Sequence, residues 1–576
     1  MENANNVNFT DMAVAQTPII VVGGSLVGLS AALFPSHWKV PVILLEKHTG
    51  SSAHPRAIGY TTRTIELLQS VGAPLSRLED SKQWAGGPPR RIVVESLAGK
   101  WQGEQAWAQG SPSAGHAGQK DASTQEPSKT GSDFKAYSNV EGVAVAQDKI
   151  EPILRERAVE LGADLRLGHR VIGFVQDDTG VSVSVISPKR HEYILRGNYL
   201  IACDGGRSPI REQLGISRHG VGHFRSLCSI LFRCPRLQQY LEYGYSQFQV
   251  DNGDFQAFAT TYGDGRWMLA WSEEESSTPA KEGEAFQRDQ IRKAAGLDLR
   301  DEDITLITTG RWDIGGFIAD KFSSGRIFLA GDSAHTLPPN RGGYGANTGI
   351  ADAHNVAWKI AAVAGGKSDP SILNTYDAER RAIAQVRHDQ IFAREDHRKF
   401  VKDRDWPGKD VEIIDDVAME FGQLYRSGSI ISRKMDDEPA AVLPEEWRGD
   451  PGIRGPHVAL RKEGELISTL NLFGYTWIVL SKDMSWKAVV ETVASGYNID
   501  IRFHYIGVDL AEEIDGDFER LYGLDSTGAT LLRPDGYIAW RAVSKTSDAQ
   551  EVFEDAFSHV SYGVKSAQEV QVAADN

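Results

Sequence analysis

The chain has 576 residues, 41% of them hydrophobic and 24% charged, and a formal charge of −16; at about 150 residues per domain it forms several units, well beyond a small binding module. This ordinary globular composition supplies a large core and argues against wholesale disorder. The acidic balance repels phosphate backbones and anionic headgroups, so no nucleic acid and no membrane partner is expected. The three cysteines, Cys203, Cys228 and Cys234, are too few for a disulfide framework or a zinc site.

Residues 1–16 are polar and read as a disordered tail. No segment offers about 18 unbroken apolar residues, so a cytoplasmic, untethered protein is expected. A buried strand at Pro18–Val22 runs into Gly23-Gly-Ser-Leu-Val-Gly28. A helix follows from about Leu26 to Phe34, closed by Pro35, and a second buried strand, Val40–Leu45, ends at Glu46. Gly23 and Gly28 hold the first and last glycine places of a dinucleotide-binding turn, with Ser25 at the middle one. A side chain that small leaves room for a pyrophosphate and adds a hydroxyl donor. Glu46 lies 18 positions after Gly28, placed to accept hydrogen bonds from an adenosine ribose. Its charge disfavours a 2′-phosphate, which points to FAD or NAD at this turn.

From Gly99 to Lys135 the composition turns to Gly, Ser, Ala, Gln and Lys, a long surface insertion with no assigned structure. An amphipathic helix is expected over Asp148–Leu161, then short strands at Ala163–Leu167 and Val181–Ile186 and a buried strand, Tyr199–Ala202, that delivers Asp204-Gly205. Alternating segments Asp254–Tyr262 and Arg266–Trp271, joined through Gly263-Asp-Gly265, predict an antiparallel sheet; Tyr262 and Trp271 are its candidates for lining an aromatic pocket. Arg326–Ala330 is another buried strand, ending in Gly331-Asp332. Beyond Pro339, the run Arg341-Gly-Gly-Tyr-Gly-Ala-Asn347 opens a helix. An acid at position 332 suits the hydroxyls of a ribityl chain, and the loop amides present partial positive charge to an electron-rich ring. Three strands from distant sequence thus end in Gly or Asp, where open α/β sheets collect their ligands, so the three ends are expected to face one ligand. His335 reads as a structural hydrogen bonder and Cys203 as inert packing. Tyr376–Arg433 reads as a largely helical bridge. From Asp450 a small α/β unit follows, with strands at Trp477–Leu480 and Ile499–His504 and a hairpin around Pro534-Asp-Gly536. It has no cysteine, which excludes thiol–disulfide exchange.

In this order the motifs resemble those of the single-component flavin aromatic hydroxylases, the superfamily of para-hydroxybenzoate hydroxylase and phenol hydroxylase, and most of all its aromatic-polyketide branch. The resemblance runs from Pro18 to Ala384 and resumes in a thioredoxin-like C-terminal domain. It implies an α/β fold in which a Rossmann-like FAD-binding domain of the glutathione reductase type (17–205 and 311–400) carries an inserted antiparallel-sheet substrate domain (206–310). A helical linker (401–449) and a thioredoxin-like domain (450–576) complete the chain. By resemblance, Gly23, Ser25 and Gly28 lie at the FAD pyrophosphate, Glu46 on the adenosine ribose, Arg56 near the cofactor and Gln147 near the flavin. Asp204 and Gly205 serve both FAD and the nicotinamide nucleotide, and Asp332 holds the ribityl chain. Pro339, Gly343, Gly345, Ala346 and Asn347 flank the isoalloxazine. The implied reaction hydroxylates a phenolic or polycyclic aromatic substrate with NADPH or NADH and O2 through a flavin C4a-hydroperoxide, in a metal-free enzyme of secondary metabolism, with either a packing role or a homodimer contact left for the cysteine-free C-terminal domain. The same chemistry also serves epoxidation or Baeyer–Villiger insertion. From another class, an FAD-dependent dehydrogenase or a non-catalytic flavin-binding protein is the competing reading. Ile58 stands where phenol hydroxylase has an active-site aspartate, so no catalytic base is assigned. Lys39 replaces the glycine usual before the second strand.

Overall fold

The structure, a computed structural model, describes residues 15–81, 90–104, 134–272, 283–339, 344–432 and 439–565, apart from 475, 498 and 509. The expected tail up to residue 14, most of the 99–135 insertion, and Arg341 and Gly343 lie outside the described residues.

The first sheet contains β1 (Ala15–Val22), β2 (Val42–Glu46), β5 (Asp164–Leu167), β8 (Glu192–Ala202), β14 (Ser323–Ser324) and β15 (Ile327–Leu329) in the order β14-β15-β8-β1-β2-β5. All but β14 run parallel to their neighbours. Val22 lies beside Leu45 on one flank and Ala202 on the other, and Ala202 lies beside Leu329. This register lines up the C-terminal ends of four strands. Parallel strands are covered on both faces, which is why Ile19–Val22 and Val42–Leu45 are unbroken apolar runs and are buried. The first half of β8 also pairs antiparallel with β7 (Gly180–Ile186), and β7 with β6 (Arg170–Asp177).

Helices α1 (Leu26–His37), α3 (Gln147–Glu160) and α6 (Tyr344–Ala364) pack together here, with α2 (Thr62–Ser70) against α6. Helix α1 continues through Pro35 to His37 instead of closing before it. It is buried along nearly its whole length, the proline forfeits a single N–H, and the end is closed by Lys39 N–H on Ser36 O and Val40 N–H on Pro35 O. Lys39 has φ +63°, a left-handed conformation that glycine adopts freely and a lysine adopts under strain.

The second sheet has the order β16-β13-β9-β12-β11-β10-β3-β4. Its spine is the long antiparallel pair β9 (Arg218–Arg233) and β13 (Thr305–Ala319). β10 (Gln247–Asp251), β11 (Gln256–Thr261), β12 (Arg266–Ser272), β3 (Arg91–Val94), β4 (Trp101–Glu104) and β16 (His335–Thr336) complete it. The sheet therefore departs from the expected 206–310 boundaries: β3 and β4 come from the preceding segment, and β13 runs past 310 to Ala319. β4 also falls in the stretch expected to lack structure. Trp101 anchors it, meeting Tyr243, Tyr245 and Phe248 edge to face. Helix α5 (Glu284–Ala295) covers the outer face through Ile291, Ala294 and Ala295. The short α4 (Pro209–Gln213) follows β8.

Helices α7 (Thr375–Ala393), α8 (Glu395–Val401), α9 (Asp416–Phe421) and α10 (Pro444–Trp447) lead to the C-terminal unit. Contrary to the helical-bridge reading, residues 402–415 contain no helix. In the C-terminal unit β19 (Trp477–Ser481) runs parallel to β20 (Ile501–Tyr505) and antiparallel to β22 (Ala529–Leu532), which pairs antiparallel with β23 (Ile538–Ala542). With α11 (Trp486–Tyr497) and α13 (Ala549–Ser561) this βαβ–ββα arrangement is thioredoxin-like. A small sheet of β17 (Ala459–Lys462), β18 (Glu465–Ser468) and β21 (Ala511–Glu512), with α12 (Asp517–Tyr522), flanks it. Among the described residues no helix is long and apolar enough to cross a membrane, and no cluster of His, Cys, Asp and Glu could hold a metal ion.

Candidate functional site

The aligned strand ends form a cradle. At Gly23 (φ +104°) a Cβ would stand 2.2 Å from the carbonyl oxygen of Cys203, and at Gly28 one would stand 1.8 Å from the carbonyl oxygen of Gly23. Glycine is needed at both places because the β1–α1 turn is pressed against β8 and against itself. Ser25 is exposed at the N-cap of α1, and its side chain does not cap that helix, which leaves the first-turn N–H groups without a side-chain acceptor. The Glu46 carboxylate accepts the Gly24 N–H at 2.6 Å and the His48 N–H at 2.7 Å, which fixes it at the end of β2 with acceptor capacity to spare.

Gln147 opens α3 and ties three segments together. Its Nε2 donates to Ser25 Oγ (2.9 Å) and to Glu151 Oε1 (2.7 Å), while its Oε1 accepts the N–H groups of Arg56 (3.3 Å) and Ala57 (3.2 Å). Ser25 Oγ donates in turn to Glu151 Oε1 at 2.9 Å. Glu151 is buried and missing from the sequence expectations, although its position one helical turn after Gln147 places both on one face. The Arg56 side chain is exposed.

Asp204 accepts the Ile210 N–H at 3.2 Å through Oδ2, while Oδ1 is buried with no partner among the described residues, and burial pushes the carboxyl pKa above its ordinary value. Gly205 follows at φ +90° with open space around its Cα. Burial pushes the Cys203 thiol well above its ordinary pKa, which favours the protonated thiol over the thiolate. Asp332 sits in a short 3-10 turn after β15 (Gly331–Ser333), half-buried, and among the described residues its carboxylate makes no hydrogen bond. His335 is wholly buried: its Nε2 lies 2.7 Å from Asp352, which also accepts the Gly331 N–H (3.1 Å) and Arg380 Nε (2.7 Å). Burial alone would raise the Asp352 pKa, but His335 and Arg380 hold it below the ordinary value. This cluster anchors the start of the 331–336 turn to α6.

The flavin-loop expectations divide. Asn347 is buried and its carboxamide is committed to the 59–64 segment, accepting Thr61 N–H (3.1 Å) and Thr64 Oγ1–H (2.7 Å) and donating to Gly59 O (3.3 Å). Its side chain therefore positions the loop. Gly345 lies 3.7 Å from Leu337 O, measured from the Cβ it lacks. Ala346 packs half-buried against the main core, and exposed Pro339 accepts a hydrogen bond from His397. Gly343 is outside the described residues.

Facing this region is the inner surface of the second sheet, where Leu231, Tyr262, Met268 and Ala270 form an apolar cluster with Ala146, Phe258 and Ile58. The Tyr262 hydroxyl donates to Pro55 O at 2.8 Å, and Ser229 Oγ lies 2.9 Å from His54 Nε2, so two strands of the sheet pin the 54–57 loop from its inner face. Burial lowers the His54 pKa from 6.5, which keeps its imidazole neutral at pH 7. Trp271 corrects the sequence expectation. One residue beyond Ala270, it points to the opposite face and packs against Phe286 of α5, away from any pocket on the inner surface.

These features fit FAD: a glycine turn with uncapped helix amides for a pyrophosphate, an acid at the end of β2 for a ribose, a half-buried acid with open acceptors for a polyol, and a buried orphan oxygen at Asp204. A family model described as FAD binding domain matches residues 16–390, and one described as aromatic-ring hydroxylase, C-terminal, matches residues 448–561. The chain is 35% identical to a 4-methyl-5-nitrocatechol 5-monooxygenase of Burkholderia sp, covering 95% of this chain and 97% of that protein. It is 32% identical to a tetracenomycin A2 monooxygenase-dioxygenase of Streptomyces glaucescens, covering 95% and 97%. The crystal structure of aklavinone-11 hydroxylase with FAD and aklavinone superposes with a TM-score of 0.82 at 29% identity, covering 96% of this chain and 100% of that one. With both family models matched across most of its length, the chain belongs to the FAD-dependent aromatic-ring hydroxylases, monooxygenases that take their electrons from NAD(P)H.

Proposed function

We propose that this monooxygenase hydroxylates a phenolic ring held between the strand-end cradle and the apolar inner face of the second sheet, and that the 54–57 loop sets their separation. The observation that carries the reading is this loop itself, held by Gln147 from the cofactor side and by Ser229 and Tyr262 from the sheet side. Gly23, Ser25 and Gly28 are assigned to the pyrophosphate, Glu46 to the adenosine ribose, Asp332 to the ribityl chain, Arg56 and Gln147 to the flavin surroundings, and Asp204-Gly205 to FAD and the passing nicotinamide nucleotide. FAD, when bound, supplies the dioxygen chemistry. The chain's own part is to hold the ring in line, exclude water, and favour the phenolate, whose carbon is the better nucleophile. Ile58 lies in the apolar cluster, so the substrate's aromatic faces meet hydrocarbon there.

The nitrocatechol relative makes small phenols one class to screen, and the tetracenomycin and aklavinone relatives make fused polyketide-like aromatics the other. A cytoplasmic homodimer is the assembly proposed. The test is to purify the protein, record flavin absorbance, and screen both classes for substrate-stimulated NADPH or NADH oxidation under air, with products identified by mass. A product one oxygen heavier with its ring intact supports the reading. Ring expansion replaces it with Baeyer–Villiger insertion, and substrate turnover under strict anaerobiosis replaces it with a dehydrogenase.

A further inference from the structure

The thioredoxin-like domain has no cysteine, yet it is joined to the FAD-binding domain by buried charge. Arg454 grips Glu66 of α2 with a two-pronged guanidinium, Nε to Oε2 at 3.0 Å and Nη2 to Oε1, and the side chains keep only 4% and 7% of their exposure. Glu66 also takes Arg63 Nη1 at 2.9 Å, and Arg63 Nη2 reaches back to the carbonyl of Asp535 in the C-terminal domain at 3.0 Å. The N–H of Arg63 donates to Glu420 of α9 at 2.9 Å. Burial alone would raise the Glu66 pKa, but Arg454 and Arg63 hold it below 4.5.

The N-cap and first turn of the same helix hold the start of α6. Thr61 and Thr64 supply the two donors to Asn347 Oδ1, and Asn347 lies in the first turn of α6, straight after the glycine run. Glu66 and Thr61 are five residues apart, about 7 Å along a rigid helix. A shift at Glu66 therefore reaches the Asn347 donors.

We propose that Arg454, Glu66 and Arg63 are positioning residues for the cofactor: the C-terminal domain sets the pose of α2, and α2 sets the start of α6 from which the flavin loop hangs. The inference rests on the FAD reading above and gives the cysteine-free domain a task in it.

The test uses the full chain, stripped of flavin and titrated with FAD, reading the dissociation constant by flavin fluorescence and the bound state by visible circular dichroism of the flavin. Arg454→Met is expected to raise the FAD dissociation constant about tenfold and to change the flavin dichroism, because Glu66 loses its two-pronged partner, keeps only Arg63 to balance its buried charge, and shifts toward it. Arg454→Lys keeps the charge but loses the fork, so about a threefold rise is expected; it carries the test if the methionine variant does not fold. The control is Arg541→Met, which removes a different ion pair of the same domain, to Asp450. It is expected to lower the thermal midpoint and leave FAD affinity and dichroism unchanged. FAD affinity within twofold of the parent in both Arg454 variants, or an equal loss in Arg541→Met, overturns the positioning role. A parent protein that binds no FAD refutes the cofactor reading itself, which is a separate result.

Discussion

Gly28→Ala isolates the glycine turn. The added Cβ would stand 1.8 Å from the Gly23 carbonyl oxygen, where real Cβ contacts do not fall below 3.0 Å, so the start of α1 must retreat by roughly 1.2 Å. The obstacle is backbone, which cannot swing aside as the end of a side chain can. A retreat of that size takes the first-turn amides out of hydrogen-bond range of a pyrophosphate. Each charge-assisted hydrogen bond is worth about 1.5–3 kcal/mol and the helix terminus about 0.3–2 kcal/mol more. Loss of two such bonds amounts to about 3–6 kcal/mol, or a hundredfold to ten-thousandfold in FAD affinity. The assay is the flavin-to-protein absorbance ratio after purification, then titration of the stripped protein with FAD. Gly59→Ala is the matched control: it lies near the same site with open space around its Cα and no positive φ, and should bind FAD like the parent. Gly28→Ala protein that purifies with stoichiometric flavin would refute the reasoning.

Asp332→Ala should lower FAD occupancy while shifting the thermal midpoint of the stripped protein little, since among the described residues its half-buried carboxylate leaves no partner behind; the change in folding stability should stay within about 0.5 kcal/mol. Stability should also fall in acid. Burial alone would raise the Glu379 pKa, but Arg533 and Lys359 hold it well below 4.5, and Asp352 and Asp535 are likewise held below 3.8 by their cationic partners. A depressed carboxylate stabilises the fold above its unfolded pKa and loses that contribution as pH falls, so the thermal midpoint should be level near neutrality and drop progressively below about pH 4.5. Glu379→Gln should flatten that drop, and an unchanged profile would count against the buried network as its source. Lys39→Gly should raise stability by about 0.5–1 kcal/mol by relieving the left-handed strain, read as a higher midpoint in denaturant; a lower midpoint would show that the lysine side chain outweighs it.

Sequence alone determined the strand-end framework proposed to hold the cofactor. Gly23, Gly28, Glu46, Asp204 and Asp332 are legible because each follows an apolar run that only a doubly covered parallel strand requires, and such sheets present ligand sites at one edge. A local rule was less secure where burial competes with it, as at Pro35, which α1 runs through; at exposed Lys39 the chain takes up a glycine's conformation all the same. What only the tertiary structure decided is which side chains meet across long separations. Trp271 and Tyr262 look alike in sequence, but strand parity sends one under α5 and the other to the 54–57 loop. Asn347 holds α2, Glu151 holds Gln147, and Arg454 holds Glu66 across 388 positions. Short-range pattern fixes the exposure of a strand or helix face, whereas a hydrogen bond between distant segments depends on how whole domains pack, which leaves no periodic trace along the chain.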